Sequence, residues 1–544
     1  MIAYDTIAGA HQLNEELPLS LMNIAGMELG VDNWGKGKQK FGDGDTPPTP
    51  LWGPEGMGTY CARDVAYTHL IFENQRERVK ADTEIASLMR YLVIPGLEQI
   101  AQMEVNGIWV DRGRVAIRRA EYVERQEGIK AEMLTHLPED FRPTADFSNE
   151  HFLRRWIFGA PPDGLGMVPT SFTDKTRVPK VDEAALAEMN HPAIDLLRRY
   201  RKTIKAVQFF DQWIAFLDDD DRMHPFFNPT GTVTGRRSCG DPNLQQVPRD
   251  SNIRTCLGAP AGWRLLEVDF SALEVRVAAW FAEEDNLLAV FKRGEDVYTY
   301  TSSIIYKIPY SEVTDAQRQN AKAIVLGFIY GMSAKGFVRY AKDTFNVEFD
   351  MDEAERFRET FFQAYPALLR WHEKQKAAAR KRLQVRSPLG RTRHLLRIIS
   401  SELLDRLKAE RQSINAPVQG FGGDLTLAAM VSMSGKLPED EIKLVGDIHD
   451  ALLFQVRDDV WQLWAHRVLS VMENPPALRR FNLSVPVRLK AEGKIGQYWG
   501  EGVKFSLDDF VSVGKISDSK LGEIERRASL PAGDSKHITW PAWN

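Results

Sequence analysis

The chain has few cysteines, no basic residue near its start and no long apolar run. Its 544 residues include only three cysteines, Cys61, Cys239 and Cys256, without C-x-x-C spacing. This pattern disfavours a disulfide framework or a cysteine-based structural zinc site and indicates a reducing, cytoplasmic setting. The first basic residue is Lys36, so neither a signal peptide nor a transit peptide is expected. The longest apolar stretches, such as residues 323–332, are shorter than the roughly 20 residues of a membrane span, so no membrane partner is expected.

The composition is that of a folded protein. Hydrophobic residues make up 43% and charged residues 27% of the chain, which excludes an intrinsically disordered polymer. The length is sufficient for about three or four domains of roughly 150 residues. Seventy basic and 75 acidic residues give a net charge of -5, so a polyanionic partner must be bound by a local basic surface.

The chain divides into stretches of different pattern. Residues 1–34 have helical character, and the Gly/Pro-rich stretch 35–58 predicts a loop. Between residues 81 and 217, apolar residues recur every three or four positions, which predicts a mostly helical region. Residues 230–248 are rich in Gly, Thr, Ser, Asn and Pro, which is typical of turns and hairpins. The segment after Trp499 carries no clear pattern.

Two aspartates are placed at predicted strand ends. Residues 264–270 read as a buried strand and residues 271–281 as a helix, which places Asp269 where the strand gives way to the helix. Residues 442–456 read as a β-hairpin with Asp450 at its bend. The two aspartates form a metal site only if the fold lays their strands side by side.

Each of these segments also has a purely structural interpretation. Ser271 and Glu274 match a helix capping box, and Asp269 suits a turn. Gly446 and Asp447 suit a tight turn. The residues taken singly leave these alternatives open.

A helix with basic residues is a second candidate site. Arg318, Lys322, Leu326 and Tyr330 follow one another at intervals of four and share a helix face. The two cations could bind phosphates, and the aromatic ring could pack against a sugar or base. The alternative is a solvated basic helix end. Residues 370–411 are likewise dense in Lys and Arg. This pattern is typical of a surface that binds a nucleic-acid backbone, and equally of solvated surface helices.

The order of several segments resembles family A (bacterial DNA polymerase I-like) DNA polymerases, most nearly their phage members. In chain order the segments are Thr234-Gly235-Arg236 with Pro242-Asn243-Leu244-Gln245, residues 269–276, residues 318–331 followed by Met332-Ser333, Arg411 with Ile414-Asn415-Ala416-Pro417 and Gln419-Gly420, and His449-Asp450. The resemblance covers most of the chain. It implies template-directed DNA synthesis by a DNA-directed DNA polymerase, a nucleotidyltransferase of DNA replication.

The resemblance also implies a fold class: a mixed α/β right hand with palm, fingers and thumb, and a remnant of an RNase H-like exonuclease domain at the N-terminus. The expected regions are a partial exonuclease-like region at 1–84, a helical thumb at 85–225, palm and fingers at 226–500 with the fingers at about 280–405, and a C-terminal extension at 501–544.

By the same resemblance, Asp269, Asp450 and Lys322 are the expected catalytic residues. The two aspartates would hold two Mg²⁺ ions, for which Mn²⁺ can substitute, and the Phe270 carbonyl oxygen would be a further ligand. Lys322 and Arg318 would offset the charge that develops on pyrophosphate. Primer–template DNA and deoxynucleoside triphosphates are the implied partners.

Further roles follow for the sugar and for the DNA. Glu274 beside Tyr330 would block a ribose 2′-hydroxyl, which favours a DNA polymerase over a single-subunit RNA polymerase, and Leu326 would also lie at the nucleotide. The residues implied to contact primer or template are Arg236, Asn243, Gln245, Arg411, Asn415, Gln419 and His449.

The sequence departs from the family pattern at two of these positions. Leu326 stands where Phe or Tyr is common, and Ala451 stands where an acidic residue is usual. The first departure bears on sugar discrimination and closing rate. The second removes an accessory carboxylate, so at most an altered metal preference is expected.

The N-terminus departs further. Tyr60 and Asp64 resemble the last motif of the family's 3′–5′ exonuclease, but the motifs that should supply the other carboxylates are missing. We therefore expect that this chain alone does not proofread. Either a separate polypeptide carries the missing half, or the sequence is a fragment.

The alternative function is an inactive, polymerase-shaped DNA-binding subunit of replication. The intact set of Asp269, Lys322, Tyr330 and Asp450 disfavours it. The expected location is the cytoplasm, which is that of the host cell if a phage encodes the protein.

Overall fold

The structure is a computed structural model that describes residues 2–34, 56–173, 176–248, 251–345 and 347–528. Most of the predicted loop at 35–58 and the end of the C-terminal extension lie outside the described residues. Within that loop, Met57 and Gly58 already belong to a helix. No helix of the described ranges is long and apolar enough to cross a membrane.

The N-terminal part of the described chain is helical. Asp5 and Ser20 accept hydrogen bonds from the backbone N–H groups of Ala8 and Asn23, which caps the first two helices. The elements are α1 (Thr6–Leu13), α2 (Leu21–Leu29), α3 (Met57–Ala81), α4 (Thr83–Leu88), α5 (Ile94–Asn106) and strand β1 (Ile108–Val110). Among the described residues no strand precedes β1, so the exonuclease-like assignment of 1–84 stays a prediction.

A second helical region follows and has its own hydrophobic core. Its helices are α6 (Arg112–Thr135), α7 (Glu150–Phe158), α8 (Glu183–Ala187) and α9 (Pro192–Ala215). Helices α6 and α9 pack against each other, and Trp156 and Leu197 are buried between the elements. The mostly helical pattern predicted for residues 81–217 is confirmed.

Short strands then lead into the central sheet. They are β2 (Arg222–Met223), β3 (Phe226–Asn228) and β4 (Ser238–Gly240), followed by helix α10 (Ser251–Arg254) and strands β5 (Leu257–Gly258) and β6 (Trp263–Phe270). Strands β3 and β4 form the hairpin expected near residues 230–248.

The middle of the chain is a helical layer inserted between strands of that sheet. It contains α11 (Leu273–Ala282), α12 (Asp285–Lys292), α13 (Val297–Tyr306), α14 (Asp315–Phe328), α15 (Ala334–Phe345), α16 (Met351–Ala364), α17 (Pro366–Arg382), the hairpin β7 (Gln384–Arg386) and β8 (Thr392–His394), and α18 (Leu403–Met433). The remaining elements are β9 (Ile442–Ile448), β10 (Ala451–Arg457), α19 (Trp461–Glu473), β11 (Ala491–Gly496), β12 (Val503–Ser506), β13 (Phe510–Ser512), β14 (Lys515–Ile516) and α20 (Asp518–Ala528).

The central sheet has the strand order β12-β11-β6-β10-β9, with antiparallel neighbours throughout. Val268 and Phe270 of β6 are buried, and Glu267 and Asp269 alternate with them. Helix α19 packs on β6 and β11. Because side chains alternate between the faces of a strand, Asp269 projects from the face opposite to Val268.

Two of the structural interpretations from the sequence are wrong. Ser271 does not cap α11, because the residue at the cap is Ala272, which has a left-handed conformation with φ 51° and forms no side-chain cap. Gly446 and Asp447 do not form a turn, because both lie within β9 and are buried. The hairpin predicted at 442–456 is confirmed, with longer strands.

Candidate active site

Two aspartates lie close together where β6 ends and β10 begins. Asp269 is the penultimate residue of β6 and lies directly opposite Ala451, the first residue of β10. Asp450 occupies the turn before β10, and its carbonyl oxygen accepts a hydrogen bond of 3.4 Å from the Phe270 N–H. The fold therefore places side by side two carboxylates that are far apart in the sequence.

The electrostatics of this pair favour a cation between or beside the carboxylates. The Asp269 side chain is exposed to solvent, yet the surrounding protein removes much of its hydration. It thus lies in a cleft, which we define by Asp269, Asp450, Arg236 and Glu274. This burial, followed by the charge of Asp450, raises the pKa of Asp269 to about 7. Burial also raises the pKa of Asp450, against the opposing effect of Arg236. A divalent cation would relieve both costs.

The donor set fits a hard cation that keeps other ligands. Carboxylate and carbonyl oxygens suit Mg²⁺ and Mn²⁺, and Mg²⁺ in such sites is usually held by one or two carboxylates together with water and substrate phosphates. The described residues contain no cluster of three or more His, Cys, Asp or Glu arranged around one point. Asp269 and Asp450, with the Phe270 carbonyl oxygen, would thus form an open site and not a closed structural cage.

Arg236 bridges this pair to the next acidic residue. Its Nη2 donates to Glu274 Oε1 at 2.5 Å and to Asp450 Oδ1 at 3.4 Å. Glu274 lies in the first turn of α11, directly after the strand that carries Asp269. One guanidinium therefore links the loop before β4 to both sides of the cleft.

Tyr330 lies beside Glu274, as the resemblance implies. Its hydroxyl is buried and has no well-formed hydrogen bond among the described residues. Burial, and next the Glu274 carboxylate, raise its pKa above the usual range. The residue follows the end of α14 and does not lie within it, and Leu326 lies one turn earlier, partly buried.

Helix α14 carries the two predicted phosphate ligands. Thr314 and Gln317 form a capping box that fixes its start. Arg318 makes a bidentate pair with Asp296, with both N···O distances 2.9 Å, and the Lys322 ammonium lies 5.9 Å from the centre of the Tyr298 ring. The basic side chains are therefore oriented by α13 and are not a disordered helix end.

Helix α18 presents the predicted template contacts on one face. Arg411, Asn415 and Gln419 succeed each other at intervals of four, which brings them onto one side of the helix. Arg411 is exposed, and the Asn415 side-chain oxygen is buried without a hydrogen-bond partner in the described structure. His449 is exposed in the turn beside Asp450.

Two predicted DNA contacts are engaged inside the protein. Asn243 caps a short 3₁₀ turn by accepting from the Gln246 N–H at 3.1 Å. Gln245 donates to the carbonyl oxygens of Arg237 and Asp447, at 3.2 and 3.1 Å. Gln245 thus stabilises the backbone next to Arg236, and Asn243 stabilises the turn at residues 244–246.

Much of the basic segment 370–411 is neutralised within the chain. Arg391 and Arg393 are buried and paired with Asp424 and Glu15. Further pairs in the segment are Lys376–Glu373, Arg380–Glu410, Arg386 with Asp82 and Glu84, and Arg397–Asp405. For these residues the structure favours a structural role over contact with a nucleic-acid backbone.

Sequence reasoning missed several residues at the cleft. Arg237 forms a buried ion pair with Asp447 and donates to the Gly423 carbonyl oxygen at 3.1 Å. Glu492 of β11 lies directly opposite Asp269, on the side away from β10. The alternation of charged with small or apolar residues at 491–496 could have identified a strand but not its neighbour in the sheet.

The carboxylate of the predicted exonuclease remnant is hydrogen-bonded within the N-terminal region. Tyr60 and Asp64 lie in α3, and Asp64 accepts a hydrogen bond of 2.8 Å from the Trp34 indole N–H. No metal-binding cluster includes Asp64 among the described residues. Its carboxylate is engaged in holding the N-terminal helices together.

Comparisons with known proteins identify the family to which the sequence is similar. The model of the family described as DNA polymerase family A matches residues 147–501. DNA polymerase I of Pseudomonas aeruginosa is 29% identical over 82% of this chain and 48% of that protein. The thermostable DNA polymerase I of Thermus aquaticus is 30% identical over 80% of this chain and 51% of that protein, and that of Thermus filiformis 31% over 82% and 53%. The chain thus spans about half the length of these relatives.

A solved structure shares the fold. The polymerase domain of Pol1 from M. smegmatis, in complex with DNA primer-template and dNTP, superposes with a TM-score of 0.77. The match covers 91% of this chain and 82% of that one, at 23% sequence identity. At this identity the likeness concerns the fold alone.

Proposed function

The chain belongs to DNA polymerase family A, and from this membership and the geometry of the cleft we propose that it adds deoxynucleotides to a primer 3′-hydroxyl as directed by a DNA template. The observation that carries the proposal is the junction of β6 and β10, where the Phe270 N–H bonds the Asp450 carbonyl oxygen at 3.4 Å. Residues 85–225 are the proposed thumb, 226–500 the palm and fingers, with the fingers at about 280–405.

Asp269, Asp450 and the Phe270 carbonyl oxygen are the proposed ligands of two Mg²⁺ ions, with Mn²⁺ as a substitute. Such a pair of ions stabilises the attacking and the leaving oxygen of an in-line phosphoryl transfer. The protein contributes the placement of the two carboxylates, one near the end of β6 and one in the turn before β10, in surroundings that hydrate their charge poorly. Ala451 supplies no third carboxylate at this edge.

The triphosphate is proposed to lie against α14. Lys322 would provide a point charge, and Arg318 would provide a guanidinium whose orientation is already set by Asp296. These cations offset charge on the pyrophosphate as the new phosphodiester forms. We further propose Lys322 as the donor of a proton to the leaving pyrophosphate.

Glu274 and Tyr330 are proposed to select deoxyribose. The Glu274 carboxylate is held by Arg236 and lies beside the buried Tyr330 hydroxyl. A ribose 2′-hydroxyl at this position would displace Glu274 and Tyr330 from their present contacts. Leu326, one turn earlier in α14, offers an aliphatic surface to the same region.

Arg236, Arg411, Asn415, Gln419 and His449 are the proposed contacts with primer and template. Minor-groove hydrogen bonds suit a polymerase, since acceptors there differ little among base pairs. The buried oxygen of Asn415 without a partner supports this placement. Asn243 and Gln245 are further proposed DNA contacts, and Gln245 also supports the backbone next to Arg236 through its bond to the Arg237 carbonyl oxygen.

The chain alone is proposed not to proofread, because Asp64 bonds Trp34 and belongs to no group of three or more metal-binding side chains in the described part of the chain. The proposed site of action is the cytoplasm, that of the host if a phage encodes the protein.

A primer-extension assay with Mg²⁺ tests the proposal. We expect extension that depends on template and divalent cation and that strongly prefers deoxynucleotides to ribonucleotides. An inactive DNA-binding subunit would bind primer–template without extending it. Strong degradation of 3′ ends by the purified chain would contradict the absence of proofreading.

A further inference from the structure

The first helix of the chain reaches the loop that carries Arg236. His11 is buried in α1, and its Nε2 bonds the Thr232 carbonyl oxygen at 2.9 Å. Its Nδ1 lies 3.2 Å from the Gln12 side-chain nitrogen. An imidazole with its proton on Nε2 satisfies both contacts, since it donates to Thr232 and accepts from Gln12. Residues 221 positions apart are thus joined directly.

Thr232 in turn is hydrogen-bonded to Arg236. The Thr232 hydroxyl donates to the Arg236 carbonyl oxygen at 2.7 Å. The Thr232 carbonyl oxygen, which His11 binds, also accepts from the Gly235 N–H at 3.2 Å. The backbone from 232 to 236 is therefore a tight loop in which Gly235 has φ 78°, a value that favours glycine.

Gln12 supports the same loop through a second route. Its Oε1 accepts from Arg391 Nη1 at 3.1 Å. Arg391 is bound to Asp424 by Nε and Nη2, at 3.0 and 2.6 Å. The guanidinium lies so close to Gly235 that a Cβ on that glycine would be 2.3 Å from Arg391 Cζ. The loop is therefore enclosed between α1 and a buried ion pair.

We infer that His11 and Gln12 are positioning residues for the polymerase site, because they fix the loop from which Arg236 reaches Glu274 and Asp450. This inference rests on the proposed function. It assigns the N-terminal helix a task in primer–template binding by the polymerase site itself. The region expected to be an exonuclease remnant thus contributes to the cleft.

The chemistry of His11 suits a fixed donor. Burial, followed by the charge of Arg391, lowers its pKa to about 4. The ring therefore stays neutral at ordinary pH and keeps one N–H for Thr232. Its role depends on a hydrogen bond and not on a charge.

Two variants separate the bond from the packing. His11→Phe keeps an aromatic ring of similar size and removes the donor. His11→Gln places an amide nitrogen near the position of Nε2 and restores it. Ile7→Ala is the matched control, because Ile7 is 44% exposed on the same helix.

Steady-state extension of a primed template gives the first readout. A lost hydrogen bond of about 1 kcal/mol corresponds to about a fivefold change in an equilibrium constant. We expect His11→Phe to raise the KM for primer–template about fivefold with kcat within twofold, and His11→Gln and Ile7→Ala to match the wild type. In an Arg236→Ala background, His11→Phe should have no further effect on KM, because the two residues act in one chain of contacts.

Amide hydrogen exchange of residues 232–237 gives a readout independent of catalysis. We expect faster exchange there in His11→Phe and normal exchange in His11→Gln. A wild-type KM and wild-type exchange in His11→Phe would overturn the inference, as would a lowered melting temperature with KM unchanged. If the wild type does not extend primers, the proposed function fails, and the exchange data alone decide whether α1 fixes the loop.

Discussion

Glu15 and Arg393, 378 positions apart, form a buried ion pair in which Arg393 Nη1 donates to Glu15 Oε1 at 2.8 Å. The same carboxylate accepts from the backbone N–H of His394 and contacts its ring at 2.9 Å. The chain that follows α1 is therefore fastened to the β7–β8 hairpin. The N-terminal residues are part of the folded polymerase body and not an appendage to it.

Replacing Glu15 should destabilise the whole protein. Glu15→Ala removes the buried one of the two carboxylates that pair with the Arg393 guanidinium and leaves only the half-exposed Glu16, which should cost about 1.5–3 kcal/mol, the contribution of hydrogen bonds to a charged group. Urea denaturation followed by circular dichroism measures the loss. Glu73→Ala, which breaks an exposed pair with Arg76, should cost less than about 1 kcal/mol. Equal effects of the two changes would show that the buried pair contributes little.

Removing Glu274 should relax sugar selection. Glu274→Ala deletes the carboxylate that lies between Arg236 and Tyr330, so a ribose 2′-hydroxyl no longer displaces a fixed pair. We expect the ratio of kcat/KM for deoxynucleotides over ribonucleotides to fall at least about tenfold, which is about 1.4 kcal/mol of discrimination. Single-nucleotide incorporation assays give the ratio. Exposed Asp285→Ala is the control, and an unchanged ratio in Glu274→Ala would remove the sugar-selecting role.

Acid should destabilise the fold partly through His372. This ring is buried and bonds the Ile329 carbonyl oxygen at 2.9 Å. Burial lowers its pKa to about 4. The charges of Lys376 and Arg358 also lower this pKa, and the charge of Glu373 raises it. Below the unfolded value near 6.5, the unfolded state binds more protons than the folded state, so stability falls as the pH drops from about 6.5 toward 4.

His372→Gln isolates that contribution, because the amide can still donate to Ile329 but does not titrate. Between pH 7.5 and pH 5, the wild type should lose about 2 kcal/mol more of its unfolding free energy than the variant. Denaturant titrations at the two pH values supply the numbers. Parallel pH dependence of the two proteins would rule out His372 as a source of acid sensitivity.

The C-terminal extension should be required for stability. Strand β12 completes the central sheet, and buried Phe505 covers Gly493, where a Cβ would be 2.5 Å from the Phe505 ring. Phe505→Ala should cost about 3–5 kcal/mol by leaving a cavity. Val511→Ala, at a position 64% exposed, should change the melting temperature little. A similar small change in Phe505→Ala would mean that β12 is dispensable.

The sequence predicted the local parts of the site and not their long-range partners. The strand ending near Asp269 and the hairpin at Asp450 followed from apolar patterning, which reports local structure. Asp447 was misread because its buried partner Arg237 lies 210 positions away, and no local pattern marks such a pair. Ser271 was misread because Ala272 adopts a left-handed conformation that spacing alone does not indicate.

The N-terminal contacts were unpredictable for the same reason. His11, Gln12 and Glu15 read as ordinary helix and loop residues until the fold places them against Thr232, Arg391 and Arg393. The resemblance drew attention to Tyr60 and Asp64 instead. In the structure, the residues of this region that contact the Arg236 loop and its neighbours lie in α1.

Single-turnover primer extension by the wild type and by Asp269→Asn tests most directly whether Asp269 and Asp450 hold the catalytic metal ions. Primer–template affinity is measured in parallel by fluorescence anisotropy. Asp269→Asn preserves the shape of the side chain and removes its negative charge, which lies beside that of Asp450. We expect Asp269→Asn to slow extension by at least about a thousandfold, equivalent to about 4 kcal/mol, with affinity for DNA within about threefold of the wild type. Extension at the wild-type rate by Asp269→Asn would contradict this expectation.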